Sequence, residues 1–311
     1  MINTKEIRSI KLASFTKITA SIYGVLGFIA ALLMLAALII VQATGAIPQL
    51  APQLGQFNFV TGVGIPLLVI LPIGAFFITI IVSLFSAMLY NALVPKLGGI
   101  KLELDGEDVV KIPVIAFSLI LSTIGAIWAF IIGLLTSALV APLLSVINTS
   151  SIAANTPFIT TSTYSITANI TSNLTNTTGT NIPDGTFGAA GIILAFLLVI
   201  GLPILVFVFV FISNALFALF YNYIVTRVAK IKLEFVNITE SLHELKHIPV
   251  IPTALAVALV YALLGIISGI LDGNYGEFIS NFVLYFIETA LFAILYNYLA
   301  PKIGSIKINM K

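Results

Sequence analysis

The sequence predicts an all-α integral membrane protein: six transmembrane helices in three parallel two-helix repeats, with short cytoplasmic β-strands pairing into a small sheet. Composition, the length of the apolar runs and an internal recurrence carry this prediction. The 311 residues are 59% hydrophobic and only 8% charged, against about 25% charged in a soluble domain. Several apolar runs exceed the roughly 20 residues needed to cross a bilayer. Near both the middle and the end of the chain, one short signature returns.

That signature reads YNALVPKLGGIKLEL at 90–104, YNYIVTRVAKIKLEF at 221–235 and YNYLAPKIGSIKINM at 296–310. Tyr90, Tyr221 and Tyr296 correspond, as do Asn91, Asn222 and Asn297. A small residue stands four places earlier each time, at Ala87, Ala218 and Ala293. The repeat starts align too: KIPVIAFS at 111–118 matches HIPVIPTA at 247–254, and SIKLASFT at 9–16 fits the same register. Each unit reads strand, helix, outer loop, helix, strand. The units are 1–106, 107–236 and 237–311, each with two spans.

The predicted spans are 18–41, 72–93, 115–140, 203–224, 251–271 and 279–300. The first is longer than the apolar core of a signal peptide and reads as a retained span. The stretches 59–94 and 187–222 overrun. Each would measure about 54 Å as one helix, against a hydrocarbon core of about 30 Å. Pro72, and Gly201 with Pro203, are expected to break or kink them.

All fourteen Lys and Arg fall on one side of this arrangement. By the positive-inside rule that side is cytoplasmic, with both termini on it. The strands there alternate: Ile100, Leu102 and Leu104 face one way, Lys101 and Glu103 the other. Tyr at each second-helix end suits the membrane interface. The Asn beside it is expected to tie helix end to strand by hydrogen bonds, which is structural work.

The outer loop 147–186 differs from the rest. Twenty-three of its forty residues are Ser, Thr or Asn. Asn148, Asn169, Asn173 and Asn176 each begin an Asn-X-Ser/Thr sequon, which predicts an exposed, glycosylated extracellular segment. Residues 164–174 alternate apolar and polar as a strand would. The absent cysteine excludes disulfides and thiolate chemistry. With the abundant Ile and sequon-rich loop, it suggests an archaeal source.

The Tyr-Asn signature followed by Gly98, Gly99, Ile100, Leu102 and Leu104 resembles a two-helix bacterial transmembrane domain of unknown function. The opening IRSIKLASFTKITASIYG fits the start of that domain, and the resemblance covers most of the chain if all three copies count. Repeats 2 and 3 depart from it, with Ala229-Lys230 and Gly304-Ser305 in place of the glycine pair. The resemblance implies a fold and a topology and no activity.

Two features hold titratable groups in suggestive places. His243-Glu244-Leu245-Lys246-His247 has the HExxH spacing, which on a helix puts two His on one face for zinc. Glu240 or Glu288 would supply a third ligand. Lys246 inside the motif, Pro249 just after it and the repeat register all favour a solvated linker capped by Thr239 or Ser241. Glu288 stands mid-span, where an ionisable group is costly and faces a bundle interior or wet cavity. It reads as a proton or cation site with Asn214 and Ser83 as neighbours, or as a protonated acid bonded between helices.

No nucleotide-binding loop, serine elbow or paired carboxylates are evident. The sequence therefore points to a non-enzymatic, cofactor-free structural, assembly or anchor subunit of the cell membrane. Its partners are the lipid bilayer, other membrane or cell-surface proteins and copies of itself, and not nucleic acid. A small channel or transporter using Glu288 is the alternative, and a zinc metallopeptidase a remote one.

Overall fold

A computed structural model describes residues 2–45, 58–153 and 189–311. The side chains of 140–153 and 189–191 lie outside that description. Six helices among the described residues are long and apolar enough to cross a membrane. A six-stranded antiparallel sheet accompanies them, so this is a multi-pass membrane protein.

The elements run as follows. Strand β1 (Ile2–Ile10) leads into α1 (Leu12–Ala43). A π-helical turn, Val60–Gly64, opens α2 (Ile65–Leu97). Strands β2 (Ile100–Asp105) and β3 (Asp108–Lys111) form a hairpin before α3 (Val114–Ala153). Helix α4 (Ala189–Phe196) passes through a second π turn, Leu197–Gly201, into α5 (Leu202–Tyr223). Strands β4 (Glu234–Asn237) and β5 (Leu242–His247) precede α6 (Val250–Asp272), α7 (Glu277–Ile303) and β6 (Lys307–Met310).

Helix α2 runs through Pro72 without a break. The relief comes earlier, where the π turns end just ahead of Pro66 and Pro203. A π turn shifts the hydrogen-bond register where a proline offers no N–H. Helix α3 likewise outruns its predicted end and reaches Ala153, taking Asn148 into the helix. Asn169, Asn173, Asn176 and the stretch 164–174 lie outside the described residues.

The chain divides into two compact units, Met1–Ile120 with Asn214–Lys311, and Leu121–Ser213. The first holds the sheet. Its strand order is β3-β2-β1-β6-β5-β4, all antiparallel. The start of β3 also meets the segment 231–233 that leads into β4. Asp108 bridges Lys232, the Val109 N–H donates to the Ile231 carbonyl at 2.9 Å, and the Leu233 N–H donates to the Glu107 carbonyl at 2.9 Å. Ion pairs from Lys230 and Lys232 to Asp108, at 3.2 and 3.5 Å, reinforce this seam. The sheet thus closes into a barrel in which every strand neighbours those before and after it in the chain. Closure removes the unpaired edges that an open sheet would present.

The barrel is filled. Leu104, Val109, Leu245 and Met310 are each at most 6% exposed. A barrel of eight strands has an interior just wide enough for side chains, so six strands leave no lumen. Above it, Ala218, Tyr221 and Val225 pack with Ala256 and Val260 of α6. Ile18 and Ile22 of α1 pack with Ala293, Tyr296 and Ala300 of α7.

Small residues let the helix pairs approach. A Cβ on Gly265 would sit 2.8 Å from the Glu277 carbonyl on α7. In α1, a Cβ on Gly27 would meet the Leu71 carbonyl of α2 at 3.0 Å. In the second unit, a Cβ on Gly133 would run into the Leu198 carbonyl. Without a hydrophobic force between helices in lipid, such close contact is the main source of association.

Gly265→Leu is therefore expected to lower the unfolding temperature in detergent by several degrees, an overpacking cost of about 1–3 kcal/mol. Gly74→Leu, where nothing lies within 4 Å, should leave it unchanged. Equal effects from the two would show that the α6–α7 contact is not tight.

Candidate functional site

The Tyr-Asn pairs form three similar clamps where helices meet strands. The Asn91 side chain accepts from the Ile10 N–H at 2.8 Å and donates to the Ile10 carbonyl at 2.9 Å. Asn222 does the same to Ile112 at 2.9 and 2.8 Å, and Asn297 to Ile248 at 2.9 and 2.8 Å. Each Ile stands at the corner between a strand and the following helix. Neither α1 nor α6 has a side-chain N-cap. The asparagine amide, acting as both donor and acceptor, instead satisfies the backbone at that corner.

The tyrosines act one step further into the sheet. The Leu245 N–H donates directly to the Ile306 carbonyl at 2.9 Å. The return bond is bridged: the Ile306 N–H donates to Tyr296 Oη at 3.1 Å, and that hydroxyl donates to the Leu245 carbonyl at 2.5 Å. Val109 and Ile231 are joined likewise, with Tyr221 Oη accepting at 2.9 Å and donating at 2.5 Å. In the first unit Tyr90 Oη donates to the Ile7 carbonyl at 2.8 Å, beside the place where Ile7 pairs with Ile100. A phenol is thus inserted into one rung of the ladder where two strands splay apart toward their helices.

Helix ends follow the local sequence. Gly98 and Gly304, at φ 84° and 106°, terminate α2 and α7 with N–H bonds to Val94 and Ala300. Positive φ favours glycine. Ala229 stands at the matching place after α5, and there the chain closes through a 3-10 turn, Val225–Arg227.

The HExxH residues lie on strand β5, not on a helix. Four strand residues put His243 and His247 about 13 Å apart along the chain, too far to share an ion. Among the described residues, no group of three or more His, Cys, Asp or Glu is placed to hold a metal. Nor is this a solvated linker throughout. His243 is 5% exposed; its Nε2 accepts from Lys5 Nζ at 3.0 Å and its Nδ1 donates to the Ser241 carbonyl at 3.3 Å. His247 Nδ1 lies 3.1 Å from Glu234. Thr239 Oγ1 accepts from the Leu242 N–H at 3.2 Å in the turn before the strand. Across the barrel surface, Glu103 lies 2.9 Å from Lys111 and raises its ammonium above the usual lysine range. That contribution is present through neutral pH and fades only as pH rises through the raised value.

Glu288 is exposed on α7. Its carboxylate has no hydrogen bond or ion pair with any other described residue. It lies within Coulombic reach of the phenols of Tyr23 on α1 and Tyr261 on α6. The Tyr261 ring stacks on Tyr285 of α7, with centroids 3.6 Å apart and planes at 9°. Ser83 is buried and uses its hydroxyl on its own helix, donating to the Thr79 carbonyl at 2.5 Å. Asn214 is half-buried on α5 and engaged by a partner of its own. The sequence groups Glu288 with Ser83 and Asn214; no hydrogen bond links Ser83 to Glu288, and the groups within Coulombic reach of Glu288 are tyrosines. Two further buried hydroxyls, Thr16 Oγ1 and Ser118 Oγ, lack a hydrogen-bond partner among the described residues. Each stands six residues after its clamped Ile.

The class defined by these features is a multi-pass membrane protein with a closed, filled strand barrel at one end of its helices. No family model, curated protein or solved structure matches the chain.

Asn297→Ala should cost about 1–3 kcal/mol, because it strips both bonds from a buried corner. Thermal unfolding in detergent reads the loss. Tyr296→Phe should speed amide exchange at Ile306 in particular; unchanged exchange there would show that the hydroxyl bridge carries no weight.

Proposed function

We propose that the chain is a non-enzymatic anchor or assembly subunit of the cell membrane, built from three parallel two-helix repeats, with both termini and the barrel cytoplasmic and the 147–186 loop outside and glycosylated. The filled barrel is the observation that carries the non-channel reading. A path running between the three hairpins would leave the membrane at the barrel, whose interior is occupied by Leu104, Val109, Leu245 and Met310. The conspicuous polar side chains at the helix ends are engaged in holding strands to helices. The threefold recurrence of that bonding supports the repeat reading and its resemblance to a two-helix transmembrane domain. The Lys and Arg distribution supports the orientation. A second reading, a small transporter or channel, is favoured by one observation: the carboxylate of Glu288 has no hydrogen bond or ion pair among the described residues.

Two measurements test this. The chain has no cysteine, so single cysteines can be placed freely. Lys101→Cys should react with an impermeant maleimide only from the cytoplasmic face, and Asp184→Cys only from outside; labelling of both from one face would overturn the topology. In proteoliposomes, proton and potassium flux should equal that of protein-free vesicles. Flux that Glu288→Gln abolishes would replace the anchor with a transporter.

A further inference from the structure

Glu288 is alone in its position. It stands eleven residues into the 27-residue α7, about 16 Å along the axis and near the middle of a membrane. Every other Asp, Glu, Lys or Arg of the described helices lies within about two turns of a helix end. An acid at that depth is costly unless something compensates it. No described residue does so by hydrogen bond or ion pair. The side chain is exposed, so a molecule from outside the chain has access.

The surroundings are aromatic. Tyr285 is one turn before Glu288 on the same face of α7. It forms a parallel stack with Tyr261, and Phe217 meets Tyr261 in an edge arrangement, at 5.8 Å and 62°. Tyr23 is 41% exposed on α1, the helix packed along α7. Tyr23 and Tyr261 each stand thirteen residues after their clamped Ile, at Ile10 and Ile248, whereas the matching place on α3 is Gly125. The places on α2 and α5 that match Glu288 hold Val82 and Ser213. The constellation therefore occurs once.

We propose that Glu288, Tyr23, Tyr261 and Tyr285 form an intramembrane binding site for a lipophilic organic cation of the quaternary ammonium or phosphonium type. The carboxylate supplies the countercharge and the ring faces supply the quadrupole attraction that such cations seek. A small inorganic cation is disfavoured, because calcium or magnesium requires about six oxygen ligands and one carboxylate with a few phenols offers fewer. An ionised carboxylate would repel an anion and would stay uncompensated beside a neutral molecule. A cation that already partitions into the membrane gives up little hydration on entry. This site rests on the six-span reading but not on the anchor role: a protein that binds without transporting would satisfy both.

The test uses the full chain in lipid nanodiscs and radiolabelled tetraphenylphosphonium as probe. The expected result is saturable binding with one site per chain. Glu288→Gln should weaken it at least ten-fold, and Tyr261→Leu about five-fold. Val82→Ala, at the matching place on α2, should leave it unchanged. Unfolding temperatures of the variants establish that the fold is retained, and Glu288→Asp, which keeps the charge, should restore part of the affinity relative to Gln. Tetraphenylmethane, the neutral probe of the same shape, should show no saturable binding. Absence of saturable binding to the wild type, equal affinity in Glu288→Gln, or equal binding of the neutral probe would each overturn the proposal. The flux measurement on the anchor reading is independent of all three outcomes.

Discussion

The fold depends on how a strand can be joined to a membrane helix without leaving backbone groups bare. Each junction places an N–H and a C=O at the edge of the apolar layer, where an unpaired group costs several kcal/mol. Ordinary helix caps satisfy donors by side-chain oxygens. Here the amide of Asn91, Asn222 or Asn297 takes both the donor and the acceptor of one Ile. The neighbouring tyrosine then spans the rung where the strands begin to part. Asparagine alone would close the corner but leave that rung open; tyrosine alone would hold the rung but leave the corner bare. The adjacency of the two residues in sequence follows, since consecutive positions at a helix end project toward neighbouring points of the sheet.

Closure of the barrel is a consequence of this anchoring. Once the six helix ends are fixed at six strands, each strand lies beside its sequence neighbours, and only the β3–β4 seam needs further help. Lys230, Lys232 and Asp108 supply it. These pairs are partly exposed and individually weak, so the two backbone bonds of the seam carry more of the closure. A filled six-stranded barrel is stiff, because its interior side chains interlock at the density of a protein core. The lipid-side halves of the helices have no comparable constraint. They are held pairwise, by small residues such as Gly265 and Gly133 against partner backbone.

Much of this was legible in the sequence, for identifiable reasons. Apolar run length and the near absence of charge gave the six spans, since the bilayer imposes a length that composition cannot disguise. Period-two alternation in Ile100–Leu104 gave the strands. Helix continuity was harder. Pro72 reads as a break, yet a proline within a membrane helix is tolerated when neighbouring residues re-pair the freed carbonyl. The π turns were invisible because they depend on register, which composition does not encode. The HExxH spacing misled in the other direction: it has meaning only on a helix, and Leu242–His247 is a strand whose inward face takes His243. The tyrosines near Glu288 were not legible because alignment of the units pairs Glu288 with Val82 and Ser213, whereas the phenols within its Coulombic reach stand on α1 and α6.

On the repeat reading, the departures from threefold symmetry are more informative than the symmetry. Where Ala229 stands in place of glycine, α5 ends in a 3-10 turn instead of at a positive-φ glycine, and the clamp is preserved. The backbone can absorb that substitution because the clamp fixes both flanking residues. Glu288 cannot be absorbed in the same way. A carboxylate in place of Val82 or Ser213 adds a desolvation cost and gains no hydrogen bond or ion pair from any described residue, so the described part of the fold does not compensate it. An exposed acid at mid-helix, within Coulombic reach of tyrosines on two other helices, has on the binding-site proposal its physical explanation in what it binds.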